Sequence, residues 1–229
     1  KIYKGVKTMI SDCIPNQLEN SAQIYAGKLS FCRGKTYYNN SDTAYCVNIT
    51  PKAVTIVFRG TDSKDEWRSN FRVCKKKIPY NNVNSPVRVH CGFIDTYKRA
   101  DVRNKIHSLI PKDVCRVVVT GHSRGAALAL LCALDVQYNF PDKSVEAYLF
   151  GCPRVGNAAF KKSYIHRVFK TLRIDNGNDI VTKLPPAILG YRHVGTRISI
   201  GMPRLPFVYI RNQHLPSEYY KNAIYKFFA

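Results

Sequence analysis

The sequence predicts an α/β fold with a central, mostly parallel sheet, and three observations predict it. Short apolar runs alternate with helical patterns along most of the chain, the order expected when helices cover both faces of a sheet. The run Val114–Thr120 is β-branched and almost wholly apolar, as in strands buried on both faces. It leads through Gly121-His122-Ser123-Arg124-Gly125 into the small, apolar stretch Ala126-Ala127-Leu128-Ala129-Leu130, a strand-to-helix turn with glycines at both ends.

Taken in order, Leu18 to Phe31 carries Leu18, Ala22, Tyr25 and Leu29 at helical spacing and stops near Gly34. Ala44–Ile49 and Ala53–Phe58 read as strands separated by the turn Thr50-Pro51-Lys52. Phe93 to Ile110 reads as one helix stopped by Pro111, and Ala126 to Tyr138 as a second helix. Val145–Phe150 and Val168–Ile174 are strands flanking a short helix over Asn157–Tyr164. Tyr191–Gly195 and Arg197–Ile200 read as late strands, and Pro216–Phe228 as a closing helix. No repeat, low-complexity block or Pro/Gly-rich linker divides residues 1–229, so one domain is expected.

Composition narrows the function classes. The hydrophobic fraction of 45% is that of a globular protein, and no apolar run reaches the ~20 residues that span a bilayer. Thirty-six Lys+Arg against fifteen Asp+Glu leave a formal +21, spread along the chain. Such a surface attracts anionic lipid or acidic glycans. A nucleic-acid partner is not expected, because no zinc-ligand spacing or basic–aromatic motif accompanies the charge. None of the eight cysteines forms Cys-x-x-Cys, so no metal is expected. Cys115, Cys132 and Cys152 fall within apolar patterns and read as core residues. Cys13, Cys32, Cys46, Cys74 and Cys91 lie at segment edges and are the disulfide candidates. With the sequons at Asn39 and Asn48 they favour secretion.

The turn around Ser123 carries the chemistry. Glycines at 121 and 125 let the chain pass sharply from strand to helix and bring neighbouring segments close. Ser123 then sits at a helix N-terminus, where amides favour developing negative charge. A serine needs a base to take its proton and a carboxylate to orient that base, in the order Ser…Asp…His for this kind of turn. Asp135 and Asp142 lie at the far end of the following helix. Asp175 reads as a turn residue, whereas Asp179 lies in the loop after the Val168–Ile174 strand and is the preferred acid. Among histidines, His166 precedes that strand and His193 lies in an extended segment. His214, in the loop opening the last helix, is the preferred base.

Five ordered segments resemble the class 3, fungal-type triacylglycerol lipases, an α/β-hydrolase family. They are Val57-Phe58-Arg59-Gly60-Thr61, Val89-His90-Cys91-Gly92-Phe93, Gly121 to Gly125, Phe150-Gly151-Cys152-Pro153-Arg154-Val155-Gly156-Asn157, and Arg173 through Asp179 to Pro186. Tyr191-Arg192-His193 and His214-Leu215 follow in the family order. The resemblance implies Ser123, Asp179 and His214 as a catalytic triad. It also implies an oxyanion hole from Thr61 and the amide of Arg124, a short lid helix after Thr61, and no cofactor. It implies a carboxylester hydrolase of the lipase or phospholipase type, expected as a secreted monomer acting on a lipid ester at an anionic membrane or lipid surface.

Two departures bear on substrate. The lid segment Asp62–Phe71 offers only Trp67 and Phe71 as strong apolar anchors, a narrow stripe for an oil surface. This suits a polar interface or a soluble ester, such as a feruloyl ester. Arg124 stands where the family often has leucine; its side chain either steers an anionic substrate or turns to solvent. A catalytically silent lipid-binding protein of the same fold is the alternative outside enzymes.

Overall fold

The computed structural model describes residues 4–25, 36–39, 43–60, 73–78, 82–201 and 214. In chain order the strands are β1 (Thr36–Asn39), β2 (Ala44–Ile49), β3 (Val54–Phe58), β4 (Lys75–Lys77), β5 (Arg88–His90), β6 (Arg116–His122), β7 (Ser144–Phe150), β8 (Lys170–Asn176) and β9 (Thr196–Ile200). Seven of them form one sheet in the order β1-β2-β3-β6-β7-β8-β9, and β4 pairs with β5 apart from it. The first two pairings are antiparallel and the remaining four parallel, with Val54 opposite Val117, Arg116 opposite Ser144 and Glu146 opposite Lys170.

The two-residue period of the strands sorts side chains between two cores. Val117 and Val119 of β6 face the same side as Val145, Ala147 and Leu149 of β7, in the larger core. Val118, Tyr148, Phe150 and Ile174 point to the opposite face, against Ile14 and Leu18 of helix α1 (Lys4–Gln23). The larger core is covered by α2 (Cys91–Lys98), α3 (Val102–Leu109), α4 (Arg124–Asn139) and α5 (Ala158–Ile165). Helix α4 is buried without interruption from Gly125 to Leu134. At ~1.5–3 kcal/mol for each large side chain buried, this helix is held chiefly by packing.

Several elements differ from expectation. Helix α1 begins fourteen residues before Leu18 and ends at Gln23, so Leu29 and Phe31 lie outside the described residues. Pro15 stands inside it; an interior proline usually costs ~3 kcal/mol, and burial of Ile14 and Leu18 on either side offsets this. The helix expected over Phe93–Ile110 is two helices joined by a 3-10 turn, Arg99–Asp101, with Asp101 at φ 65°. Tyr97 and Val102 are both buried but five residues apart, about 1.4 turns, so a straight helix cannot aim both at one core. Tyr191–Gly195 is not a strand. Gly190 and Gly195, at φ 79° and 75°, bracket it, and Arg192 makes a single bridge to Gly156. The expected closing helix Pro216–Phe228 lies outside the described residues.

Cys74 and Cys91 form a disulfide. Cys46 is buried in β2, and Cys115 is free but exposed, which corrects its reading as a core residue. Cys132 and Cys152 are free core thiols; the side chains of Cys13 and Cys32 lie outside the described residues. Among the described residues no helix is long and apolar enough to cross a membrane, and no group of three or more His, Cys, Asp or Glu could hold a metal ion.

Candidate active site

The parallel strands β6, β7 and β8 all end on one edge of the sheet, where open α/β sheets place their chemistry. Strand β6 ends at His122, and the next residue, Ser123, takes φ 58° and ψ −126°. A non-glycine residue at such angles carries roughly 1–3 kcal/mol of strain and persists only where its surroundings hold it. Here they do. The Ser123 amide donates to Phe150 O at 2.9 Å, and the amides of Ala126 and Ala127 donate to Ser123 O. The turn closes only because its ends lack Cβ atoms. A Cβ on Gly121 would lie 2.5 Å from the Gly125 carbonyl, and one on Gly125 2.4 Å from Phe58 O.

Three side chains from distant parts of the chain meet at this turn. The Ser123 hydroxyl lies 2.9 Å from His214 Nε2, and His214 Nδ1 lies 2.9 Å from Asp179 Oδ2. Ser123 and Asp179 are almost completely buried, at 2% and 1% exposure. With Nδ1–H donating to the carboxylate, His214 Nε2 carries the lone pair and accepts from the serine hydroxyl. The carboxylate is fixed from the other side by the Val181 amide, which donates to Oδ1 at 2.9 Å as Asp179 caps the 3-10 turn Ile180–Lys183.

That acid loop is anchored on both flanks. The Thr182 hydroxyl donates to Asp179 O, and His193 Nε2–H donates to Thr182 O at 2.7 Å. Burial, reinforced by nearby Arg173, pushes the His193 pKa down to about 3. His193 is thus a neutral imidazole bracing the loop that carries Asp179. The Arg154 amide donates to Leu184 O at 2.7 Å, and its guanidinium to the carbonyls of Lys183 and Pro185.

The other acids and histidines are engaged elsewhere. Asp135 accepts from Tyr97, Arg103 and His107, and Asp142 pairs with Lys143. Asp175 is a strand residue of β8 rather than a turn residue, buried between Arg173 and Arg197. His166 is exposed at the C-terminal end of α5. Arg124 opens α4, and its guanidinium donates to Thr96 of α2 at 3.0 Å, so its side chain neither turns wholly to solvent nor hangs free as a steering group. Thr61, Trp67 and Phe71 lie outside the described residues, so the expected oxyanion residue and lid carry no geometry here.

Three participants were missed from the sequence. Gly151, at φ 55° after β7, passes under the acid and the base: a Cβ there would lie 2.8 Å from Asp179 Oδ2 and 3.1 Å from His214 Nδ1. His122 packs against the His214 ring, and Tyr25 meets His122 edge-on. Gly151 and His122 do stand inside the quoted motifs, which was the available signal. Nothing local marks Tyr25.

Residues 55–189 match the family model described as Lipase (class 3). The chain is 36% identical over 156 residues to the chloroplastic phospholipase A(1) DAD1 of Arabidopsis thaliana, covering 61% of this chain and 35% of that protein. It is 35% identical over 152 residues to a lipase of Rhizomucor miehei, covering 63% of this chain and 40% of that one. The chain thus spans well under half the length of these two relatives. A solved Rhizomucor miehei lipase–propeptide complex superposes with a TM-score of 0.69 at 26% identity, over 87% of this chain and 70% of that one.

Proposed function

Because the chain belongs to the class 3 lipase family, we propose that it hydrolyses carboxylic esters of lipids through an acyl-enzyme. The unbroken relay from Ser123 through His214 to Asp179, with both links at 2.9 Å, carries the reading. Ser123 Oγ attacks the ester carbonyl carbon while His214 Nε2 takes its proton. Asp179 keeps the imidazole in the right tautomer and offsets its positive charge. The oxyanion is met by the Arg124 amide at the start of α4 and by Thr61, each donor worth roughly 3 kcal/mol of barrier. His214 then protonates the departing alcohol, water attacks the acyl-Ser123 ester with His214 as base, and the fatty acid leaves.

The substrate we favour is an ester lipid at an anionic surface, a phospholipid above a neutral triacylglycerol. The formal charge of +21 supports this, since each basic residue near an anionic leaflet adds ~1 kcal/mol. The polar segment around Trp67 and Phe71 supports a soluble ester as the second reading. The Cys74–Cys91 disulfide supports a secreted enzyme, which we take to act as a monomer built on one hydrolase domain.

A fluorophosphonate probe should label the protein and fail to label Ser123→Ala; equal labelling of the two ends the proposal. Rates on anionic phospholipid vesicles, triolein emulsion and a short soluble ester then rank the substrates. Vesicle hydrolysis should fall steeply with added salt. Vesicle rates that ignore salt would refute electrostatic recruitment, and activity confined to the short ester would favour the second reading.

A further inference from the structure

Beneath the reactive serine, the residue that immediately precedes it makes a connection that the chemistry above does not use. His122 is buried, with 1% exposure. Its Nε2 lies 2.5 Å from the main-chain carbonyl of His214, and its Nδ1 lies 3.0 Å from the Tyr25 hydroxyl. A carbonyl only accepts, so Nε2 carries the proton and donates; Nδ1 is then bare and accepts from Tyr25. One tautomer satisfies both neighbours.

Of the bonds that reach His214, the one at Nε2 is remade during turnover, because that nitrogen gains and loses the serine proton. The bond to its carbonyl is not. His214 stands 91 residues beyond Ser123, and its aim depends on how its main chain is held against the serine turn. His122 lies between them, ring centroid 4.7 Å from that of His214. Tyr25, just past the end of α1, meets the His122 ring edge-on at 5.7 Å. The chain leaves a gap for it: a Cβ on Gly60 would lie 1.8 Å from the Tyr25 hydroxyl and 2.7 Å from His122 O. Gly60 precedes Thr61, so the same contact joins Tyr25 to the strand end that leads to the expected oxyanion residue.

We infer that His122 is a positioning residue: its Nε2–H holds the main chain of the base His214, and the Tyr25 hydroxyl fixes the tautomer that makes this possible. The inference rests on the reading of Ser123, His214 and Asp179 given above. Burial and the neighbouring His214 hold the His122 pKa well below its ordinary value. The ring therefore stays neutral, and no second imidazolium opposes the charge that His214 acquires when it takes the serine proton.

The test is kcat and KM on a short soluble ester, with thermal melts to verify folding, for His122→Phe, His122→Gln and Tyr25→Phe. Glutamine can present an amide N–H near the place of Nε2; phenylalanine cannot. His122→Phe should lower kcat by roughly 10–100-fold, the range seen when a metal-bound histidine loses the partner that orients it, with KM changed less than about two-fold. His122→Gln should recover most of that loss, and Tyr25→Phe should fall between wild type and His122→Phe. The far-downfield N–H resonance of the His214–Asp179 bond should broaden in His122→Phe and return in His122→Gln. A folded His122→Phe with wild-type kcat overturns the inference, and so does a folded His122→Gln as slow as the phenylalanine variant. If His122→Phe fails to fold, the glutamine and Tyr25→Phe variants decide in the same way. An inactive Ser123→Ala beside a fully active His122→Phe removes this inference alone, whereas an active Ser123→Ala removes the ester-hydrolase reading itself.

Discussion

Among the described residues two aspartate–histidine pairs stand near opposite ends of α4, and they are built for different ends. At the N-terminal end Asp179 Oδ2 accepts from His214 at 2.9 Å; beyond the middle of the helix Asp135 Oδ2 accepts from His107 at 2.7 Å. Distance does not separate them. Asp135 also takes the Tyr97 hydroxyl and the Arg103 guanidinium, so its charge is answered by a cation and its lone pairs are filled. Asp179 forms no ion pair with Lys or Arg among the described residues; it takes His214 and one main-chain amide. His214 spends its second nitrogen on a serine held at positive φ, whereas the His107 ring packs edge-on against Phe140. A saturated carboxylate with a cation braces a structure, and a carboxylate left to a single histidine aimed at a nucleophile is fit to run a reaction.

That contrast is broken most directly at the histidines. His214→Ala should reduce kcat on any ester by about a million-fold, as loss of the base does in a serine relay, while the melting temperature moves little. His107→Ala should do the reverse, leaving kcat within about two-fold and lowering the melt. If the two variants lose activity to the same degree, the division between a reacting and a bracing pair is wrong.

Next in size is Asp179→Asn. The amide keeps the shape but presents the wrong hydrogen-bonding partner to Nδ1–H, so His214 turns to the unproductive tautomer and kcat should fall about ten-thousand-fold. A loss of under ten-fold, measured as single-turnover acylation, would mean that Asp179 does not set the tautomer.

Gly151→Ala sharpens the comparison through space. Its Cβ would press on Asp179 Oδ2 and His214 Nδ1 at 2.8 and 3.1 Å, from a residue at φ 55°. Because a shift of about 1 Å in a reacting group can cost ~100-fold, kcat should fall by about that factor with KM little changed. Wild-type kcat in a folded Gly151→Ala would show that the pair tolerates displacement.

How much of this was legible in the sequence follows from the range of the contacts involved. The serine turn declares itself locally: Val117–Thr120 before it and Ala126–Leu130 after it are a strand and a helix by composition, and the glycines by their spacing. Asp179 was chosen by its place after a strand, and it lies beside His214. Gly151 was overlooked, because nothing local shows that a Cβ there would strike two residues 28 and 63 positions away. Tyr25 and His122, 97 residues apart, meet only when α1 lies across the sheet. The break near Asp101 was hidden for another reason: no proline or glycine marks it, and it exists to turn both Tyr97 and Val102 into the core. The Tyr191–Gly195 strand failed because β propensity was read without the two glycines that bend the chain at either end.

The smallest effect belongs to the bracing pair and tests it by pH. Asp135→Asn removes the charge that answers Arg103 and should cost ~1–3 kcal/mol, a melting shift of roughly 3–10 °C for a chain of this size, with kcat unchanged. Burial raises the Asp135 pKa, but the bonds from His107 and Arg103 outweigh it and hold the carboxyl below its ordinary 3.8. A carboxyl whose folded pKa is depressed contributes its stability in full above the unfolded value and loses it as pH falls through the folded one. The gap in melting temperature between wild type and Asp135→Asn should therefore hold steady just above pH 5 and close as the pH drops below 4. Glu146, also held low by Arg116 and Lys170 against the effect of burial, titrates in both proteins and cancels from the difference. A gap that widens on acidification would mean that Asp135 is not the charged partner this packing requires, and the far pair would need another account.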